Sequence, residues 1–335
     1  HQIDRYRPDL RIPDMKDDLL PDVYKWDISA LVDEYFGDAE TSFRKFFGEG
    51  NYADHDSAFR LNAYREFAET FSEQEQEQED KPITVIDLEC GNGFGGLFLC
   101  KALNDQFDGE REIRLHLVDS SQLVVNTIIG EHAKVFVNHG MPDFAPILVQ
   151  ERSEDYLQNC DFENSGSVIV LWERQIGTRG DPGNFLQRLA TQAPPGTHFL
   201  VGYYRVDTKG DKNAILQRYR SSKSDTMISA VREKYLQDHS EQKSVNTHFV
   251  SFCNGRECDP NGLTFDVVCG FDIVRPAPSI STRVVAHQVR CYEAFYLEEL
   301  VLGSLDNITL IRAFDKKASS GSGLSYFYIA SVKSD

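Results

Sequence analysis

A short apolar run that passes directly into a glycine-rich stretch is the segment that most constrains the fold. Residues 83–88 read Ile-Thr-Val-Ile-Asp-Leu, and residues 91–96 read Gly-Asn-Gly-Phe-Gly-Gly. The β-branched residues predict a buried strand, and the glycines let the backbone turn sharply and approach a ligand closely. A helix predicted at 94–107 begins at once, with free N–H groups at its start. This unit predicts an α/β fold with a ligand at the strand's carboxyl end.

Further apolar runs alternate with helical segments along the chain. They are continuous rather than alternating in polarity, which is typical of parallel strands that helices cover on both faces. We therefore predict a doubly wound, mostly parallel sheet, whose loops at the carboxyl ends of the strands form the ligand side. The other predicted strands are residues 115–118, 147–149, 168–172, 199–204, 263–274, 308–313 and 326–332.

Composition shifts divide the chain. Aromatic, helical segments at residues 23–47 and 57–71 are followed by an acidic low-complexity tract at 72–80, which indicates a boundary. We predict an N-terminal arm and helical cap at residues 1–80. We also predict an α/β domain at residues 81–335, with an insertion at about 205–290 that begins with charged helical sequence.

The charge of the chain argues against some partners. With 35 Lys and Arg against 53 Asp and Glu, the net charge is −18, and such a surface repels phosphate backbones and anionic lipid. We expect no nucleic-acid or membrane partner. The chain has no apolar run of about 18 residues, and the polar start at residues 1–10 lacks the core of a signal peptide. A cytoplasmic protein is expected.

Cysteine usage fits the same setting. The seven cysteines are odd in number and scattered, which predicts reduced thiols. Cys253 and Cys258 are the close pair, but no CxxC motif or histidine pair accompanies them. We therefore expect no metal site.

The glycine-rich loop admits two interpretations. Gly91, Gly93 and Gly96 satisfy the GxGxxG pattern of dinucleotide-binding loops. Asp87, four residues before Gly91, separates the two interpretations, because a carboxylate at the strand tip repels a pyrophosphate. It suits S-adenosylmethionine (SAM), which carries an ammonium and a sulfonium group.

The loop also resembles a known motif. Residues 87–93, Asp-Leu-Glu-Cys-Gly-Asn-Gly, resemble motif I of the class I SAM-dependent methyltransferases, commonly Asp-Leu-Gly-Cys-Gly-x-Gly. The resemblance extends to residues 117–119, Leu-Val-Asp, a strand that ends in an acid. It implies a seven-stranded sheet with an antiparallel last strand, SAM as the cofactor, and Asp119 holding the ribose hydroxyls beside Ser120. It also implies a cofactor loop made by Asp87, Glu89, Cys90, Gly91, Asn92 and Gly93.

Two positions need comment against the family pattern. Glu89 stands where the family has its first motif glycine, so its side chain either crowds the methionine end of SAM or contacts the ammonium group. Near the third strand's end, the family often has an acid that binds adenine. Here we assign that contact to Ser153, with Arg152 or Glu151.

The ends of the fourth and fifth predicted strands form the expected acceptor side. Trp172 should wall the cofactor, Glu173 should orient or deprotonate the acceptor, and Tyr203 or Tyr204 should face the pocket, with Tyr203 taken as the catalytic candidate. A surface ion pair of Glu173 with Arg174 is the alternative. The N-terminal aromatic helices would form the lid found in many family members.

The implied activity is direct transfer of the SAM methyl group to an O or N atom of a small-molecule acceptor, mainly through positioning and desolvation. The alternative is a SAM-fold protein without methyl transfer, such as a regulatory subunit, which Glu89 keeps open. The sequence does not reveal the acceptor, and it leaves a homodimer open.

Overall fold

In the computed structural model of the protein, the main feature is a seven-stranded sheet. The strand order is β3-β2-β1-β4-β5-β10-β9. The described residues are 38–49, 56–75, 81–122, 124–160, 162, 166–173, 175–178, 181–220, 222–240, 247–274, 282–314 and 323–331. The strands are β1 Ile83–Leu88, β2 Ile113–Asp119, β3 Ile147–Gln150, β4 Ser167–Glu173, β5 His198–Tyr204, β6 His248–Glu257, β7 Thr264–Val274, β8 Thr282–Tyr292, β9 Ile308–Phe314 and β10 Leu324–Ser331.

Strand directions confirm the predicted fold class. β1 runs parallel to β2 and β4, β4 runs parallel to β5, and β2 runs parallel to β3. β10 is antiparallel to both β5 and β9. The protein therefore has a doubly wound, mostly parallel seven-stranded sheet with an antiparallel last strand.

Helices cover both faces of this sheet. The α-helices are α1 Ala39–Phe47, α2 Ser57–Gln74, α3 Phe94–Gln106, α4 Gly130–Asn138, α5 Ser153–Asn159, α6 Pro182–Gln192, α7 Lys209–Tyr219 and α8 Ser222–Asp238. α1 to α4 bury one core against the sheet, on what we call the cap face. α5, α6 and a π-helix at Tyr296–Val301 bury a second core on the opposite face. Side chains alternate along each strand, so neighbouring residues contribute to different cores.

The sequence favours Ser57 as the N-cap residue of helix α2, but the helix begins one residue earlier than that implies. Asp56 is the N-cap residue and Ser57 is the first helical residue. The Ser57 hydroxyl donates a hydrogen bond to the Lys45 carbonyl at 2.6 Å, so it joins α2 to α1. Of the predicted helix at 23–47, residues before 38 lie outside the described part, and the division at residue 80 stays a prediction.

A second, smaller sheet lies between β5 and β9 in the chain. It is antiparallel with the order β6-β7-β8, and α7 and α8 bury a third core against it. A bridge between Arg205 and Tyr292 links it to the end of β5. The sequence predicted β7 and the helical residues but missed β6 and β8.

The expectation of reduced thiols is wrong for one pair of cysteines. Cys253 and Cys269 are directly opposed on β6 and β7, with their Cα atoms 4.1 Å apart, and form a disulfide. The antiparallel register brings together residues that are 16 apart in sequence, which spacing alone does not reveal. Cys90, Cys100, Cys160, Cys258 and Cys291 are free.

Among the described residues, no helix is long and apolar enough to cross a membrane.

A buried polar cluster fastens the end of α2 beneath the sheet. The Glu75 carboxylate accepts a hydrogen bond from the Ser167 hydroxyl and contacts His198 Nε2 at 3.3 Å. The Tyr328 hydroxyl lies 2.7 Å from His198 Nδ1. Burial by itself would raise the pKa of Glu75, but contacts with His198, Ser167 and Arg111 outweigh it, so the pKa is lowered.

We predict that Glu75 makes stability depend on pH. Because its pKa is lower in the folded than in the unfolded state, its charged form stabilises the protein above about pH 4.3, the unfolded value. This stabilisation is lost as pH falls through the folded pKa. Glu75→Gln should lower the free energy of unfolding at pH 7 by roughly 1–3 kcal/mol and flatten its decline in acid.

Urea unfolding between pH 7 and pH 3.5 measures this effect. Glu69→Gln, an exposed position on the same helix, is the matched control and should retain the wild-type slope. An unchanged acid slope in Glu75→Gln would show that the cluster does not govern this pH dependence.

Candidate functional site

The loop between β1 and α3 turns through three residues with positive φ. They are Glu89 at 54°, Gly91 at 54° and Gly93 at 76°. Gly93 precedes the first residue of α3, and a Cβ there would lie 3.1 Å from Leu117, so both conformation and space require glycine. The loop thus brings the start of α3 against the carboxyl ends of β1 and β2.

The Asp87 side chain packs against the start of α3, at the end of this loop. It is 3% exposed, and its Oδ2 accepts a hydrogen bond from the Gly96 N–H at 2.8 Å. A Cβ at Gly96 would come within 3.0 Å of both the Asp87 side chain and Leu115, which explains the glycine. Burial, and then the charges of Glu173 and Asp119, raise the pKa of Asp87 well above its ordinary value, although the Gly96 N–H opposes this.

Asp119 holds the other side of the loop. Its Oδ2 accepts a hydrogen bond from the Gly91 N–H at 3.2 Å, and its Oδ1 accepts one from the Ser121 N–H at 2.9 Å. Burial raises the pKa of Asp119, against the effect of these two donors. Asp87 and Asp119 therefore flank one loop, as predicted from the adjacent strand ends, whereas Ser120 is exposed.

Glu89 contacts the end of β4. The Trp172 Nε1–H donates a hydrogen bond to Glu89 Oε2 at 3.2 Å. The Trp172 ring is fully buried and stacks on Phe185 of α6, with ring centroids 4.4 Å apart. The structure therefore brings Glu89 to Trp172, and the tryptophan body fills the core opposite the cap face.

The remaining predicted loop residues are structural parts of the turn. The Cys90 N–H donates to the Val118 carbonyl at 3.1 Å, and burial raises the pKa of its thiol well above the ordinary value. Asn92 Oδ1 accepts a hydrogen bond from the Phe94 N–H at 3.2 Å, which satisfies one of the free donors at the start of α3.

Ser153 lies beyond β3, at the first residue of α5. It is 3% exposed, and its hydroxyl has no hydrogen-bond partner within the described part of the chain. A buried hydroxyl of this kind is rare without a partner, so the position suits a ligand contact. No hydrogen bond of Ser153 to Asp119 or to the loop is observed among the described residues.

Glu173, at the end of β4, is held from the cap face. Its Oε1 accepts a hydrogen bond from the Tyr64 hydroxyl at 2.7 Å and another from the Tyr326 hydroxyl. Arg60 Nε lies 3.2 Å from the same oxygen, and the Glu173 side chain is 11% exposed. Arg174, the alternative partner considered from the sequence, lies outside the described residues.

The sequence interpretation missed Arg60, Tyr326 and the role of Tyr64. The signal for Arg60 was present, because Tyr64 lies in the predicted aromatic helical segment at 57–71 and Arg60 lies four residues earlier on the same helix face. A charged residue on a buried stripe usually has a specific partner. Tyr326 carried no comparable signal, since it lies on a distant antiparallel strand.

Tyr203 is not brought to Glu173. In the β4–β5 register Glu173 lies opposite Gly202, so the next residue points to the other face. The Tyr203 hydroxyl donates a hydrogen bond to Glu298 Oε1 at 2.8 Å, within the second core. Alternation returns Tyr204 to the side of Glu173, and Tyr204 is 5% exposed.

Three carboxylates of the cap face thus gather at the carboxyl edge of the sheet: Asp87, Asp119 and Glu173. Arg60 is the cation paired with one of them. The raised pKa of Asp87, caused in part by Glu173 and Asp119, reflects this surplus of negative charge. A cation would relieve it. Among the described residues, no cluster of three or more His, Cys, Asp and Glu side chains has the arrangement of a metal site.

Comparisons with known proteins concern the fold. No family model matches the chain, and no curated protein matches it. Among solved structures, a SAM-dependent methyltransferase from Clostridium acetobutylicum is similar at 11% identity and a TM-score of 0.38, covering 84% of this chain and 96% of that one. Magnesium protoporphyrin IX methyltransferase from Synechocystis, with bound S-adenosylhomocysteine, is similar at 11% identity and a TM-score of 0.42, covering 91% and 99%.

A third similar structure is mitomycin 7-O-methyltransferase, at 13% identity and a TM-score of 0.39, where the similarity covers 82% of this chain and 55% of that one.

We predict that Asp87→Asn stabilises the ligand-free protein. Because the pKa of Asp87 is raised in the folded state, ionisation of Asp87 lowers the free energy of unfolding. This loss is absent at low pH and grows as pH rises from the unfolded pKa towards the folded pKa. The asparagine oxygen still accepts the Gly96 N–H. The midpoint of thermal unfolding should therefore rise at pH 8 and change little at pH 4.

Differential scanning fluorimetry at the two pH values checks this prediction. Asp105→Asn, an exposed position on α3, should show no such pH-dependent gain. A lower midpoint at pH 8 in Asp87→Asn would mean that the carboxylate is needed structurally rather than tolerated for a ligand.

Proposed function

We propose that this protein is a SAM-dependent methyltransferase that acts on an O or N atom of a small-molecule acceptor. The observation that carries the proposal is the pair of buried carboxylates, Asp87 and Asp119, that flank one glycine loop at adjacent strand ends. Such a site has a surplus of negative charge and open backbone turns, and it suits a ligand that combines a cation with a vicinal diol.

The residues present fit SAM by their chemistry. Asp119 accepts one backbone N–H on each oxygen, and a carboxylate oxygen has a second lone pair with which to accept a ribose hydroxyl. The charges of Asp87 and Glu89 would attract the ammonium group, and the buried Ser153 hydroxyl would meet the adenine. A dinucleotide fits less well, because its pyrophosphate would face the Asp87 and Glu173 charges.

When bound, SAM supplies an electrophilic methyl group on a sulfonium. The protein's contribution would be to position the acceptor and to exclude water at the ends of β4 and β5. Glu173 lies at that edge, and two tyrosine hydroxyl donors and the Arg60 cation hold its carboxylate. We propose that it orients the acceptor. Tyr203 faces the other core. A catalytic role is therefore better supported for Tyr204, which lies on the same side of the sheet as Glu173.

A second candidate function is a SAM-fold protein that does not transfer methyl groups. The Glu89–Trp172 hydrogen bond favours it, because a side chain occupies the turn where the family has glycine. The two candidates differ in a measurable way, since a methyltransferase must bind SAM and release S-adenosylhomocysteine. A cytoplasmic location and a homodimer stay predictions.

We predict that SAM binds the wild-type protein and that Asp119→Ala weakens binding by roughly 1.5–3 kcal/mol, the cost of losing charge-assisted hydrogen bonds. Isothermal titration calorimetry with SAM measures both affinities. Asp143→Ala, an exposed aspartate after α4, is the control. Wild-type affinity in Asp119→Ala would remove the ribose assignment, and no SAM binding by the wild type would favour the second candidate.

Glu89 gives an independent prediction. If its carboxylate contacts the SAM ammonium, Glu89→Gln should weaken SAM about tenfold, the effect of losing one charged partner. Glu89→Gly should fold at least as well as the wild type, because glycine adopts the positive φ without strain. The same titration decides the matter, and a glutamine variant that binds SAM as tightly as the wild type would contradict the contact.

A further inference from the structure

Three buried polar side chains lie on one line along the N-cap and the first two turns of helix α2. Asp56, Arg60 and Tyr64 are four residues apart, so they lie above one another on the helix, and they are at most 1% exposed. Asp56 and Arg60 are charged, and charged side chains this deeply buried need specific partners. We call these three residues the α2 stripe.

The α2 stripe contacts side chains elsewhere in the chain. Asp56 contacts Arg218, whereas Arg60 and Tyr64 both contact Glu173. Asp56 Oδ2 accepts a charged hydrogen bond from Arg218 of α7, in the inserted segment. One turn later, Arg60 pairs with Glu173, and one further turn on, Tyr64 donates to the same Glu173 oxygen. The stripe therefore joins α7 to the edge of the main sheet.

The same line reaches the cofactor loop. A Cβ built on Gly95 would lie 3.4 Å from both the Tyr64 hydroxyl and Asp87 Oδ2. The Tyr64 hydroxyl and the Asp87 carboxylate therefore both border the backbone at the start of α3. The charge of Glu173 disfavours the charge of Asp87, so these two carboxylates repel each other, and Glu173 is the group that Arg60 and Tyr64 hold.

Arg218 also covers the end of β5. Its guanidinium lies 5.7 Å from the centre of the Tyr204 ring, and Tyr204 follows on the same side as Glu173. The Arg218 side chain is 27% exposed, whereas Asp56 is fully buried. Side chains of α2 and α7 therefore cover the carboxyl ends of β4 and β5.

We propose that the α2 stripe is a clasp: it fastens the inserted α7 over the ends of β4 and β5, and a cation at the Asp87–Glu173 edge tightens it. The inference rests on the proposed function for the identity of that cation, SAM. A positive charge offsets the repulsion between Asp87 and Glu173. Both carboxylates then stay ionised, so Glu173 keeps its ion pair with Arg60 and its hydrogen bond from Tyr64, and α2 holds α7 through Asp56.

Hydrogen exchange read by mass spectrometry tests the clasp. Saturating SAM should slow amide exchange in α7 by about fivefold or more, because local opening of a fastened helix is rarer. In Arg218→Gln this SAM effect on α7 should fall below about twofold while the effect on the cofactor loop remains. Lys209→Gln, an exposed basic residue at the start of the same helix, is the matched control and should behave as the wild type.

A second measurement needs no ligand. A double-mutant cycle of Asp56→Asn and Arg218→Gln, read by urea unfolding, should show a coupling of at least about fivefold in the unfolding constant. Arg65→Gln on the exposed side of α2 should not couple with Arg218→Gln. The cycle keeps the clasp testable if a variant proves less stable.

The outcomes separate the two proposals. If the wild type does not bind SAM, the proposed function fails, and the cycle still decides whether α2 fastens α7. If SAM binds and protects the cofactor loop but leaves α7 exchange unchanged, the clasp is overturned while the cofactor assignment stands. Additive effects of Asp56→Asn and Arg218→Gln would overturn it as well.

Discussion

The surplus of buried negative charge at one edge of the sheet is the constraint on which the rest of the site depends. Asp87, Asp119 and Glu173 all lie on the cap face, where the ends of parallel strands converge. Backbone N–H groups donate to the two aspartates, whereas two tyrosine hydroxyls and the Arg60 cation hold Glu173. Among the described residues, Arg60 is the full positive charge paired with these three carboxylates, so the edge remains predisposed to a cation.

That arrangement explains why an N-terminal helix belongs to the site. Without α2, Glu173 would lose both the Arg60 cation and the Tyr64 hydroxyl. Removing one partner of a buried ion pair generally costs several times more than an exposed pair contributes. α2 is therefore bound to the sheet both by its aromatic residues, which fill the first core, and by a charge that the sheet edge requires.

The sequence predicted the parts of the structure that local patterns determine. Continuous apolar runs identified the main strands, and Asp87 with the glycines that follow it identified the loop, because these features depend on residues close together in the chain. β6 escaped prediction because one of its faces is exposed and carries polar residues such as Asn254 and Arg256. The Cys253–Cys269 pair and the Tyr326 contact depend on antiparallel register, which no local pattern encodes.

The assignment of Tyr203 shows the same limit at the scale of one residue. Two tyrosines end β5, and alternation sends one to each core, but which one faces Glu173 depends on the register with β4. A shift by a single residue would exchange them.

Glu89 raises the opposite problem, since its position in sequence is certain but its conformation is unfavourable. A non-glycine residue in the left-handed region costs roughly 1–2 kcal/mol, and glycine at this turn would avoid that cost. The hydrogen bond from Trp172 offsets part of it, yet it also keeps a fourth carboxylate near an edge already rich in them. Stability alone favours neither the strained backbone nor the added charge. Both features are explained if the Glu89 carboxylate contacts a cationic ligand. In the bound state, attraction to that ligand would offset both the backbone strain at Glu89 and the repulsion between the carboxylates.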